Sequence, residues 1–174
     1  MPDSRYTAEQ VIQALGLQPL PAEGGLFRET YQSSELVPPA GLPERYPREA
    51  RPFGTAIFYL LTNQPDSFSA LHRLPTDEVY HFYLGDPLEL TLLSPGGESR
   101  RVILGQSILK GQQLQFCVPR GVWQGSRLVP GGEFALLGTT MAPGFTPTDY
   151  EGGQRDALLA AYPHERARIL ALTR

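Results

Sequence analysis

Leu71-His72-Arg73-Leu74-Pro75-Thr76-Asp77-Glu78-Val79-Tyr80-His81-Phe82-Tyr83-Leu84-Gly85 is the stretch on which the reading of this chain turns. It places two of the three histidines within ten positions of one another and beside a carboxylate. Pro75 and Thr76-Asp77 require a turn, and Glu78 then opens a run rich in Val, Tyr and Phe that reads as a strand ending at Gly85-Asp86-Pro87. Side chains alternate along a strand, so Glu78, Tyr80, Phe82 and Leu84 share one face and Val79, His81 and Tyr83 the other. If Glu78 looks into a cavity, His81 does not. By the same argument His81 is a packing or interface histidine rather than a ligand.

Further along, Val118-Pro119-Arg120-Gly121-Val122-Trp123-Gln124-Gly125 joins a turn-forming Pro-x-Gly to two large apolar residues and an amide. Together the two segments resemble the paired motifs of the cupin superfamily. The first, H-x-H-x(3,4)-E-x(6)-G, is met by His72, Glu78 and Gly85, with Leu74 in the second histidine's place. The second, P-x-G-x-x-H, is met by Pro119 and Gly121, with Gln124 in the ligand position.

Around these segments the signals are mostly those of short strands. Strands are expected at 26–31, 55–62, 67–71, 78–84, 88–93, 100–104, 114–118 and 134–141, separated by Gly- and Pro-rich turns. So many strands without intervening helices imply a sandwich or closed barrel, and the cupin resemblance selects an all-β jelly-roll barrel. One domain is expected over 1–174, since this length buries one core. It comprises a helix at 8–15, a barrel from about 25 to 142 and helices within about 154–172. The first helix opens on the capping box Thr7-Ala8-Glu9-Gln10 and stops at Gly16. Five prolines between Ser33 and Pro52 mark a long loop, with two readings: a cover over the barrel mouth or a passive excursion.

A net charge of -3, a single lysine (Lys110) and no basic cluster give no footprint for nucleic acid or an anionic membrane. No apolar run is long enough to span a bilayer. The lone Cys117 makes no internal disulfide and is expected to be buried and inert, and Met1-Pro2-Asp3-Ser4-Arg5 lacks the apolar core of a signal peptide, so a cytoplasmic protein is expected.

Three kinds of chemistry suit these residues. A metal site would draw on His72, Glu78 and Gln124, which is one imidazole, one carboxylate and one weak amide, for a divalent ion. Metal-free acid/base work would use His72 and Glu78, with Tyr80 as acid, and needs no cofactor. A binding module would use Tyr80, Phe82 and Trp123 as apolar surface, with Arg28, Thr30, His72, Glu78 and Gln124 as orienting groups. An Arg28–Glu78 ion pair inside the barrel is the plain structural alternative.

Glu23-Gly24-Gly25-Leu26-Phe27-Arg28-Glu29-Thr30-Tyr31 also looks like the early strand of metal-independent dTDP-4-dehydrorhamnose 3,5-epimerases, in which a histidine in a context like Leu71-His72-Arg73 is the base. Over nearly the whole chain, five ordered motifs resemble the cupin-5 family, domain of unknown function 985. They are Glu23 to Tyr31, Thr55 to Leu61, His72 to Leu88, Val118 to Gln124 and Met141 to Phe145. That resemblance implies a homodimeric jelly roll with an open pocket and an unassigned role. The reading reached is a small organic ligand (sugar, nucleotide-sugar or aromatic) in the barrel lumen, with isomerase- or epimerase-like chemistry. The alternatives are a non-enzymatic binding cupin or a metal-dependent enzyme.

Overall fold

The computed structural model describes residues 6–174, so the reading of Met1-Pro2-Asp3-Ser4-Arg5 lies outside the described residues. The chain runs through α1 (Ala8–Leu15), β1 (Gln18–Pro19), β2 (Leu26–Gln32), β3 (Leu36–Val37), β4 (Arg51–Pro52), β5 (Thr55–Thr62), β6 (Ser69–Arg73), β7 (Glu78–Gly85), β8 (Leu88–Leu93) and β9 (Ser99–Leu104). It continues through β10 (Gln115–Val118), β11 (Trp123–Leu128), β12 (Phe134–Met141), β13 (Glu151–Gly152), α2 (Arg155–Ala161) and α3 (Arg166–Ala171). Two antiparallel sheets face each other. One has the order β1-β2-β5-β12-β7-β10 and the other β13-β6-β11-β8-β9, while β3 and β4 pair separately. This is the all-β jelly-roll arrangement that the strand spacing and the motifs imply.

Between the sheets, Tyr59, Leu61, Tyr80, Phe82, Leu88, Leu90, Leu92, Val102, Leu104 and Leu137 form the main core. Each comes from a position that alternation turns inward, and burying each aliphatic or phenyl side chain contributes about 1.5–3 kcal/mol. The helices cover outer faces. Val11 and Leu17, in and just after α1, pack on Leu60, Phe134 and Leu136, while Leu158, Ile169 and Leu172 of the C-terminal segment pack on Leu71 and Leu93. The capping box is formed, with Thr7 accepting from the Gln10 backbone and Gln10 from Thr7, and Gly16 closes α1 at φ 61.

The structure refines the sequence reading at several places. The strand expected at 67–71 lies at Ser69–Arg73, which puts His72 on the strand instead of just beyond its end. Trp123–Leu128 is a full strand, hidden in the sequence by Gly125 and the polar run around it. The loop over residues 33–52 is anchored and not passive: Arg51 is fully buried and donates to both carboxylate oxygens of Asp149, at 2.6 and 2.5 Å. Cys117 is exposed rather than buried, because β10 is an edge strand and turns it outward. Among the described residues no helix is long and apolar enough to cross a membrane.

Candidate functional site

A cavity of about 580 Å³ opens at one end of the interior, lined by side chains that include Glu23, His72, Glu78, Thr139, Met141 and Tyr150. Local backbone irregularities create it. On β6 the register against β11 slips, so that Gln124 opposes His72 and Ser126 opposes Ser69. The extra residue lets both Ser69 and His72 turn inward while Leu71 packs outward under the helices. On β2 a second slip between Glu29 and Tyr31 resets the alternation: Phe27, Glu29 and Gln32 line the cavity.

The wall opposite is the Pro21-Ala22-Glu23-Gly24-Gly25 corner. Ala22 sits at φ 66, a left-handed conformation that costs a residue bearing a Cβ about 1–2 kcal/mol, and Gly24 and Gly25 continue with φ 100 and 72. A Cβ on Gly25 would meet Tyr59 Oη at 2.8 Å and Leu61 Cδ2 at 2.7 Å, so only glycine lets the corner pack down. The corner carries Glu23 into the cavity. There Glu23 accepts a 2.7 Å hydrogen bond from Ser69 Oγ.

His72 is buried, and its Nδ1 lies 2.8 Å from the Ala70 carbonyl oxygen. A carbonyl only accepts, so Nδ1 carries the proton and Nε2 is the free nitrogen of the neutral ring. Nε2 lies 3.9 Å from Glu23 Oε2. The Tyr150 ring stacks on the imidazole, with centroids 5.2 Å apart and planes 22° apart. Desolvation, helped by the negative charge of Glu23, pushes the Tyr150 phenol up to about 12, so it keeps its proton at neutral pH.

Glu78 is also buried, and Gln124 Nε2 donates to its Oε2 at 2.8 Å. Loss of hydration raises its carboxyl above the ordinary value; the charge of Glu23 adds to this, while His72, Thr139 and Gln124 oppose it. Tyr80 is held well above the ordinary phenol value by burial and then by the nearby Glu78.

His72, Glu78, Tyr80 and Gln124 are thus brought together, but only His72 and Glu78 line the cavity, with Tyr80 and Gln124 behind Glu78. The remaining expected lumen residues lie elsewhere. Trp123 precedes Gln124 on β11 and so points the other way, against the helix-covered cluster and under the Arg73 guanidinium 4.6 Å from its ring. Arg28 lies over Phe58 at 5.9 Å on the outer face of its sheet, which rules out the ion pair with Glu78. Thr30 is exposed at the β2 slip and donates to the Ala56 carbonyl. Phe82 is buried in the core below the cavity. His81, as alternation requires, faces away and bonds Thr140 Oγ1 at 3.0 Å and Gln115 Nε2 at 3.1 Å.

Glu23 and Tyr150 are the site residues that sequence reading did not single out. The Glu-Gly-Gly corner signals the first, since paired glycines permit the close packing that aims it inward. Nothing near Tyr150 marks it.

A divalent ion fits this set poorly. Gln124 presents its amide NH2 to Glu78, not its oxygen, and among the described residues no three His, Cys, Asp or Glu side chains are grouped as a metal would need.

Comparison with known proteins agrees with this architecture. The sequence profile described as "Cupin superfamily (DUF985)" matches residues 9–152. An uncharacterized protein of Saccharomyces cerevisiae is 30% identical over 135 residues, covering 74% of this chain and 66% of its own length, just under two thirds. A crystal structure of a Shewanella oneidensis protein superposes with a TM-score of 0.83 at 34% identity, covering 97% of this chain and 98% of its own. A hypothetical protein from Leishmania major gives 0.85 at 32%, covering 97% and 99%. Oxalate decarboxylase from Bacillus subtilis, at 15% identity, a TM-score of 0.52 and coverage of 90% and 37%, shares the fold alone.

Proposed function

Because this chain belongs to the cupin superfamily family DUF985, we propose that it binds a small carbonyl-bearing organic molecule in the barrel lumen and moves a proton on it without a metal. One observation carries this reading: the Ala70 carbonyl fixes the proton of His72 on Nδ1, leaving Nε2 as a base in a cavity that His72 shares with Glu23 and Tyr150.

The step is a proton abstraction next to a carbonyl. Nε2 takes the proton, the C–H electron pair moves into an enolate, and Glu23 at 3.9 Å stabilises the imidazolium. Return of a solvent-exchanged proton from His72 to the same face gives exchange; delivery from the Tyr150 hydroxyl to the other face gives inversion, after which the imidazolium gives its proton to solvent and the phenolate takes one back. Tyr150 replaces Tyr80 as the acid because it lines the cavity. Glu78, held towards its protonated form and fixed in place by Gln124 behind it, orients the ligand's oxygens. Phe27, Ile57, Met141 and Phe145 supply the apolar walls that such pockets use for affinity.

A homodimer is part of this reading. The outer face of the six-stranded sheet leaves Tyr31 and Tyr83 exposed, and a second copy there would cover them.

The test is solvent deuterium incorporation. Keto-sugars incubated with the protein in D2O are expected to gain deuterium next to the carbonyl, and His72→Asn to abolish the gain. Tight binding of the sugars with no exchange would overturn the chemistry and leave a binding protein.

A further inference from the structure

A second cleft, of about 670 Å³, lies on the other side of Tyr150 and Leu74, which line both spaces. Its character is opposite. The lumen carries the carboxylates Glu23, Glu29 and Glu78, whereas the cleft carries the guanidiniums of Arg45, Arg73 and Arg120. The two carboxylates on the cleft wall are already engaged: Asp149 with the buried Arg51, and Glu151 with Arg73 through bonds of 2.7 and 2.8 Å.

Arg45 and Arg120 form no ion pair among the described residues. Arg45 is held in place by neutral groups: Nε donates to the Pro75 carbonyl at 2.9 Å, Nη2 to Tyr46 Oη at 3.4 Å, and the guanidinium lies 4.7 Å over the Tyr46 ring. Tyr46 is itself fixed, since Thr76 Oγ1 donates to its hydroxyl at 2.8 Å and Arg51 covers it at 4.6 Å. A guanidinium positioned this way, with its charge uncompensated, suits a bidentate oxyanion.

From this we infer that the ligand of the lumen carries a phosphate-type oxyanion, which the cleft binds through Arg45 and Arg120 while the uncharged, carbonyl-bearing part passes Tyr150 into the lumen. The opposed charges fix the direction: an anionic group entering the lumen would meet Glu23 and Glu78, and in the cleft it meets unpaired arginines. This inference rests on the lumen being the ligand site and adds the class of ligand. Arg73 positions the wall through Glu151 and Trp123 and is not counted as a ligand.

Inorganic pyrophosphate, titrated calorimetrically into the full chain, tests the cleft by itself. Wild type is expected to bind it, more weakly as salt rises. Arg45→Gln/Arg120→Gln is expected to weaken binding at least about tenfold, the loss of about 1.4 kcal/mol expected for charge-assisted bonds. Arg120→Gln alone, which removes no side-chain hydrogen bond or ion pair among the described residues, is expected to give a smaller loss. His72→Asn is expected to leave pyrophosphate binding unchanged. No binding by wild type at millimolar pyrophosphate, equal affinity in the double variant, or loss of binding in His72→Asn would each overturn the inference. Pyrophosphate binding with no deuterium exchange would instead sink the lumen chemistry and leave the cleft standing.

Discussion

Gln124 donates to Glu78 at 2.8 Å across the interior from the opposite sheet, and its own amide oxygen, fully buried, accepts no hydrogen bond among the described residues. Burial nevertheless outweighs this donated bond and holds the Glu78 carboxyl above its ordinary value. Raised in the fold, Glu78 keeps its proton over a pH range in which the unfolded chain has lost it. In that range the native state binds more protons, so stability falls as pH rises from the ordinary carboxylate value through the raised one. Glu78→Gln removes this contribution. Urea midpoints measured from about pH 4 to about pH 7 should fall less steeply in the variant than in wild type. An unchanged slope would show that Glu78 titrates normally.

The loop over residues 33–52 depends on a second buried contact. Asp149→Ala leaves the buried Arg51 guanidinium with only the longer 3.9 Å contact to Glu49, and breaking such a buried pair costs roughly 3–5 kcal/mol. Replacing both partners, as Arg51→Met/Asp149→Leu, should recover much of that loss. Chemical denaturation of the two variants checks the order, and equal losses would mean the pair contributes no specific coupling.

Gly25→Ala should destabilise the fold by about 2 kcal/mol or more, since the added methyl meets Tyr59 and Leu61 within 3 Å at a left-handed φ. Ala22→Gly should do the reverse, gaining up to about 1 kcal/mol by relieving φ 66. Thermal melts of both variants decide this, and a stabilising Gly25→Ala would contradict the packing of the corner.

Trp123→Ala separates structure from function. The indole packs under the C-terminal helices, so its loss should lower stability by about 2 kcal/mol or more and expose α2 and α3 to proteolysis. Ligand affinity in the lumen should be retained. A selective loss of affinity with an unchanged melting temperature would return Trp123 to the pocket.

The sequence made the barrel and the imidazole–carboxylate pair legible because both are local. Turn residues punctuate the strands, and His72 and Glu78 fall on a short motif. Alternation was also reliable where a strand was regular, and it sent Glu78 inward and His81 outward. It failed where a strand went unrecognised or slipped. Trp123 and Gln124 were both assigned to the lumen only because β11 was not seen, and adjacent strand residues cannot share a face. Arg28 and Thr30 were misplaced because Phe27 and Glu29 form the inward face, and the slip between Glu29 and Tyr31 lies inside an otherwise regular pattern. Glu23 and Tyr150 meet His72 from 49 positions before it and 78 after, a proximity that no local pattern encodes.

The most direct test of the account is the tautomer of His72, read from long-range 1H–15N correlations of the imidazole at a pH where the ring is neutral. The account predicts a protonated Nδ1 and a bare Nε2. A protonated Nε2 would leave the cavity without its base and contradict the proposal.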